Sequence, residues 1–145
     1  MKYKSFGWIM RFTESKDVRI RVLCWDLLTE IFDYEFLKTH PSVIHQSVNT
    51  YLKNNELYCV KIAVLKFLNK VCEALINNCE EDTDGTTDQM TVTTLLQTLN
   101  RQGLISQIHK ILSQKDCPLL FLTLTLHLLH NLTQMDYKKA LPVLT

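Results

Sequence analysis

Glycine and proline are scarce in this 145-residue chain, with only three of each. A β-sandwich or a dinucleotide-binding α/β fold of this size turns often and uses both residues to do so, so the shortage points to an all-helical architecture. It also removes most nucleotide chemistry, because loops that cradle phosphate need glycine to bring backbone N–H groups close. There is no Walker loop, dinucleotide glycine fingerprint or nucleophile elbow, and no paired carboxylates flank a plausible cleft. Neither catalysis, nor a cofactor, nor a small-molecule substrate is therefore expected. A surplus of one charge is missing too: 16 basic residues face 15 acidic ones, which gives no overall pull toward nucleic acid or anionic lipid. The five cysteines never fall as C-x-x-C and sit mostly in apolar runs, as reduced, packed thiols of a cytosolic or nuclear protein would. The apolar patch after Met1-Lys2-Tyr3-Lys4 is too short for a signal-peptide core.

What is present is apolar residue in quantity, 46% of the chain, enough for one globular unit with a real core. The acids are unevenly spread. Glu80, Glu81, Asp82, Asp84 and Asp88 crowd together, leaving ten for the rest of the chain against 16 basic residues. "EEDTDGTTDQMT" sets acids at positions 1, 3, 5 and 9 and glycine at 6 of a calcium-loop pattern, but Thr91 stands where the bidentate glutamate belongs. The missing ligand makes an inserted, solvated acidic linker over 80–89 the expectation.

Self-similarity organises the remainder. "IRVLCWDLLTEI", from Ile20, superimposes on "VKIAVLKFLNKV" 40 residues later, with apolar residues at 20/60, 22/62, 23/63, 24/64, 25/65, 27/67, 28/68 and 31/71 and a cation at Arg21/Lys61. "FLTLTLHLLHNL", Phe121 to Leu132, follows the second copy by 61 residues. A polar turn precedes each copy ("SKD", "NNE", "QKD"), and a shorter amphipathic stretch precedes each turn, with apolar residues at Ile44/Leu104, Val48/Ile108, Tyr51/Ile111 and Leu52/Leu112. Asp17, Glu56, Asp116, Pro41 and Pro118 fall where helices start. Helices are predicted at about 4–13, 17–37, 41–53, 56–78, 90–101, 104–114 and 118–134, ends good to ~2–4 residues.

The Leu-Thr-Leu-Thr-Leu-His-Leu alternation inside "DCPLLFLTLTLHLLHNL" also suits a strand, and its leucine content a membrane span. Two histidines, an asparagine and Pro118 count against a span. Leu128, Leu129 and Leu132 restore helical spacing, so a helix is expected, the most enclosed of the three, with leucine left for a further helix to cover.

A short helix, a polar turn and a long apolar helix in a 40-residue period resemble the armadillo and HEAT class. "RQGLISQIHKILSQKDCPLLFLTLTLHLLHNLT" fits the armadillo pattern best, with its inter-helix glycine and its Leu-His-Asn-Leu ending. The resemblance implies a right-handed α-solenoid of about three copies with incomplete terminal ones: two repeats over 1–79, a third with the start of a further helix over 90–145. "SKDVRIRVLCWDLLTEIF" is similar to centriolar scaffolds of this class, which implies protein partners, centriolar ones among them, and a place at the centrosome or ciliary basal body. In peptide-binding members the third helix carries an asparagine that holds the ligand backbone and a tryptophan one turn earlier. Those positions here are Glu30, Lys70 and Asn131, and Asp26, Lys66 and His127. Only Asn131 matches, so nuclear-signal binding is not carried over. The alignment still marks these six residues as a groove-facing stripe, set against the plainer expectation of a solvated face. A nucleic-acid-binding HEAT-type solenoid using the basic body is the alternative, and predicts salt-sensitive binding.

Three further patterns are set aside. His127 and His130 lack converging ligands for a metal, Cys72 and Cys79 keep apolar company, and the sequon Asn131-Leu132-Thr133 lies within a predicted helix.

Overall fold

The computed structural model describes residues 6–33, 40, 42–53, 55–81, 104–114 and 116–144, with the side chains of 6, 77–81, 104, 105 and 135–144 excepted. Six α-helices and no strand occur among the described residues: α1 Phe6–Phe12, α2 Val18–Ile31, α3 Ser42–Leu52, α4 Tyr58–Glu81, α5 Leu104–Ser113 and α6 Leu119–Leu144. The acidic linker and the helix predicted at 90–101 lie outside the described residues, except that Glu80 and Glu81 still belong to α4.

Local chemistry sets the starts. Asp17 is extended at φ −84° and ψ 119°, and its carboxylate accepts the backbone N–H of Arg19 at 2.9 Å, a side-chain cap for α2. Arg19 beside it also holds the Asp17 carboxyl below the usual aspartate range. Glu56 accepts the N–H of Leu57 at 2.9 Å just before α4. At α6 the Pro118 carbonyl takes the first helical bond, from Leu122 at 3.1 Å, a place where proline's missing N–H costs nothing.

The long helices α2, α4 and α6 carry the core. Helix α4 packs on both of the others, while α1 packs on α2, α3 on α4 and α5 on α6. Between α2 and α4, Phe67 meets Trp25 at a ring-centroid distance of 5.7 Å and Phe32 edge-on at 5.8 Å. Between α3, α4 and α6, Phe121 meets Tyr51 at 5.8 Å and Tyr58 at 4.9 Å. Trp25, Tyr51, Phe67 and Phe121 are fully buried, and each contributes roughly 1.5–3 kcal/mol by leaving water. Among the described residues one buried donor is left over: Trp25 Nε1 has no hydrogen-bond partner, while Trp8 on α1 lies exposed.

Two expectations about α6 need correcting. Among the described side chains of α6, Phe121, Thr125, Leu128, Asn131 and Leu132 are buried, a helical stripe, and Leu119, Leu120 and Leu126 are exposed, which is the uncovered leucine expected, but the helix is not the most enclosed of the three. The most enclosed long helix is α4, whose Val60, Ala63, Val64, Leu65, Phe67, Leu68, Val71, Cys72 and Leu75 are all buried. Leucine content does not decide enclosure; α4 is buried because it has a long neighbour on both sides. The further helix expected near the end is also not separate, since α6 runs unbroken to Leu144.

Candidate functional site

The six stripe residues divide into three kinds. Asp26 and Glu30 on α2 and Lys66 on α4 are exposed. Lys70 is half-buried, its ammonium donating to the Thr29 carbonyl across the α2–α4 seam. His127 is exposed, with Nε2 at 3.3 Å from Glu73 Oε1 on α4. Asn131 is only 3% exposed, and its amide donates to Asn69 Oδ1 at 3.1 Å. Asn69 in turn donates to the Leu124 carbonyl at 3.2 Å. The asparagine that alone matched the peptide-binding pattern is thus enclosed between α4 and α6 and is not presented to a ligand.

These contacts repeat in register. Lys70 reaches Thr29 across the first seam; moving 29 forward by 40 and 70 forward by 61, the offsets of the sequence copies, lands on Asn69 and Asn131, which meet across the second. The partners differ in chemistry, ammonium to carbonyl and amide to amide, but the positions correspond.

Sequence reasoning missed Asn69 and Thr29, which make the seam contacts, and Glu73, which meets His127 at the exposed rim of the second seam. Glu73 had a signal available: it falls 40 residues after Asp33, another acid. Arg21, noted only as a recurring cation, fastens two turns. Its guanidinium takes Glu56 in two hydrogen bonds, at 3.2 and 3.0 Å, and donates to the carbonyls of Ser15 at 2.7 Å and Lys16 at 3.2 Å. This paired arrangement matches guanidinium to carboxylate geometry and ties the "SKD" turn to the "NNE" turn. Lys61, its counterpart, is half-buried, and burial pushes its ammonium down from the ordinary lysine value.

Two open hollows flank the core. The larger, about 940 Å³, lies between the α1–α2 turn and the polar face of α3 that carries His45, Gln46 and Asn49, with Lys53 just past its end. The smaller, about 260 Å³, is lined by Lys61, Lys110, Gln107 and Gln114. Neither brings together a nucleophile, a base and an oxyanion donor set.

The thiols are free and differ in access. Cys59 is exposed, Cys117 half-buried, and Cys24 and Cys72 buried. Burial pushes the Cys72 thiol up to about 12, which keeps it protonated and unreactive at neutral pH. The side chain of Cys79 lies outside the described ones. Among the described residues no three His, Cys, Asp or Glu side chains cluster as metal ligands. His127 and His130 turn to separate partners, Glu73 and Gln134. Also among the described residues, no helix is long and apolar enough to cross a membrane.

Comparison with protein-family models, curated proteins and solved structures gives no match for this chain.

Proposed function

We propose that this chain is a stretch of armadillo-like α-solenoid acting as a non-catalytic scaffold for protein partners. The observation that carries the reading is the recurrence of one seam contact, Thr29 with Lys70 and Asn69 with Asn131, at the spacing of the sequence copies. Stacked helical units that meet each neighbour through the same positions form such solenoids, whose work is to present an extended surface. Exposed Asp26, Glu30 and Lys66 give that surface acidic and basic stretches in succession, suited to a partner segment of alternating charge.

We further propose, on the resemblance of "SKDVRIRVLCWDLLTEIF" and "VKIAVLKFLNKVCEAL" to rotatin, a large centriolar and basal-body scaffold, that the setting is centriole assembly and ciliogenesis. Proximity labelling from the parent protein in ciliated cells is expected to return centriolar neighbours. A return dominated by RNA-bound proteins would overturn this in favour of a nucleic-acid reader. On the surface itself, Lys66→Glu is expected to weaken partner capture about tenfold, corresponding to ~1.4 kcal/mol, while leaving the helical circular-dichroism signal unchanged. Full retention of every captured partner would remove the stripe.

A further inference from the structure

Arg21 and Glu56 join the first two polar turns, and the sequence copies say what stands at the next joint. Moving 21 forward by 40 and 56 forward by 61, the offsets of the copies, lands on Lys61 and Cys117. The cation is kept and the carboxylate gives way to a thiol. Cys117 sits where the register requires: its Sγ is 3.3 Å from Gln114 Oε1 and 3.5 Å from the Tyr58 hydroxyl, and both residues line the smaller hollow together with Lys61.

A protonated thiol does not replace Glu56. The Glu56 carboxylate takes two hydrogen bonds from Arg21, with only 7% of its side chain exposed. Lys61 is half-buried, and among the described residues its ammonium forms no ion pair. Burial pushes that ammonium down from the ordinary lysine value more than the nearby Glu56 charge and the Cys117 thiol push it back. A cation held partly out of water is stabilised when an opposite charge reaches it.

The hollow adds a second cation. Its polar lining among the described residues is Lys61, Lys110, Gln107, Gln114 and the two tyrosines, with no acid. Lys110 of α5 stands 60 residues after Thr50 of α3, which lines the larger hollow, so a hydroxyl there becomes an ammonium here. The larger hollow also balances its cations with Glu14 and Glu56. Asp116, the acid nearest in sequence to Cys117, is exposed and bears on Tyr58, not on Lys61.

We propose that the smaller hollow docks an acidic segment of a protein partner, one of whose carboxylates stands between Lys61 and Lys110 in the role that Glu56 fills for Arg21. The Gln107 amide and the Tyr58 hydroxyl offer further donors to such a carboxylate, which has about four acceptor sites. A carboxylate is assigned ahead of a phosphate because it is the group this fold itself uses at the corresponding position. Lys61 lies five residues before Lys66 on α4, about 140° round the helix. The site is therefore separate from the charged stripe, and either can fail while the other stands.

Fluorescence anisotropy with a dye-labelled, terminally blocked peptide of four Glu-Gly pairs tests it. The wild-type chain is expected to bind this peptide saturably and to ignore its Gln-Gly counterpart. Lys61→Met and Lys110→Met, the second at an exposed position, are each expected to weaken binding about tenfold with the circular-dichroism spectrum unchanged, whereas Lys16→Met at the larger hollow is expected to leave binding as it is. Cys117→Glu supplies the carboxylate from within the chain and is expected to abolish binding with the helical spectrum retained. Cys117→Gln, the same size without the charge, is expected to keep it. A wild-type chain that takes no peptide, binding indifferent to both lysine variants, or a Cys117→Glu chain that still binds would each overturn the proposal. So would a phosphoserine peptide of equal net charge held more tightly by the same two lysines, which would reassign the hollow to phosphate.

Discussion

The two seams on either side of α4 both carry aromatic contacts and differ in how deeply their polar groups are buried. Toward α2, Phe67 is held between Trp25 and Phe32, and the polar crossing, Lys70 to the Thr29 carbonyl, is half-buried. Toward α6 a line of polar groups runs through the apolar packing: Asn69 to Asn131, Asn69 to the Leu124 carbonyl, and the hydroxyl of Tyr51 on α3 to Thr125 at 3.1 Å. Apolar burial is non-directional and tolerates small slips, whereas a buried amide must find its partner at one setting or lose a hydrogen bond in a low-dielectric site. The first seam therefore supplies stability in bulk and the second fixes alignment. Burial shows on Tyr51 as well, whose phenol is pushed up to about 12 chiefly by loss of solvent.

The sharpest way to break this contrast is to remove the aromatic hub. Phe67→Ala is expected to cost about 3–5 kcal/mol, read from urea or thermal unfolding, since it empties the space shared by two rings. A loss under about 1 kcal/mol would mean that the α2–α4 seam collapses freely around the gap.

The polar seam should respond in a different pattern. Asn131→Ala leaves the Asn69 carbonyl oxygen without its donor and is expected to cost about 1–3 kcal/mol. Replacing Asn69 and Asn131 together by leucine should cost less than the sum of the single changes, because no half-satisfied amide remains. Specificity would suffer instead, seen as broadened amide resonances for α6. Strict additivity in that cycle would show that the two amides are not coupled.

The smallest effect is expected at the rim. His127 and Glu73 are both about half exposed, and Glu73→Gln or His127→Ala should change unfolding free energy by less than ~1 kcal/mol, with the change vanishing in high salt. A larger, salt-insensitive loss would move this pair from the rim into the seam proper.

Much of this framework was legible in the sequence because it rests on period. Apolar spacing placed α3 and α5 to within a residue or two, and the 40-residue recurrence matched the buried positions of α2 to those of α4 without showing which residues meet across the seam. Function-like readings fared less evenly for a physical reason. An asparagine near the end of an apolar helix looks the same in sequence whether it faces a groove or a neighbouring amide, and Asn131 faces the amide because Asn69 supplies a matching partner. The unbroken run of α6 past Asp136 was hidden by a polar stretch, "TQMDYKK", that reads as a boundary but is compatible with a continuing helix.

The two tryptophans divide between these regimes. Trp25 has no exposed surface, lies against Phe67 and leaves its indole N–H unpaired, while Trp8 is 67% exposed. Indole emission shifts to the red when water reaches the ring, so Trp25 should emit blue and unquenched where Trp8 emits red and yields to iodide. The chain thus carries two separately addressable optical reporters, one that changes colour when α2 parts from α4 and one that registers only what touches the surface.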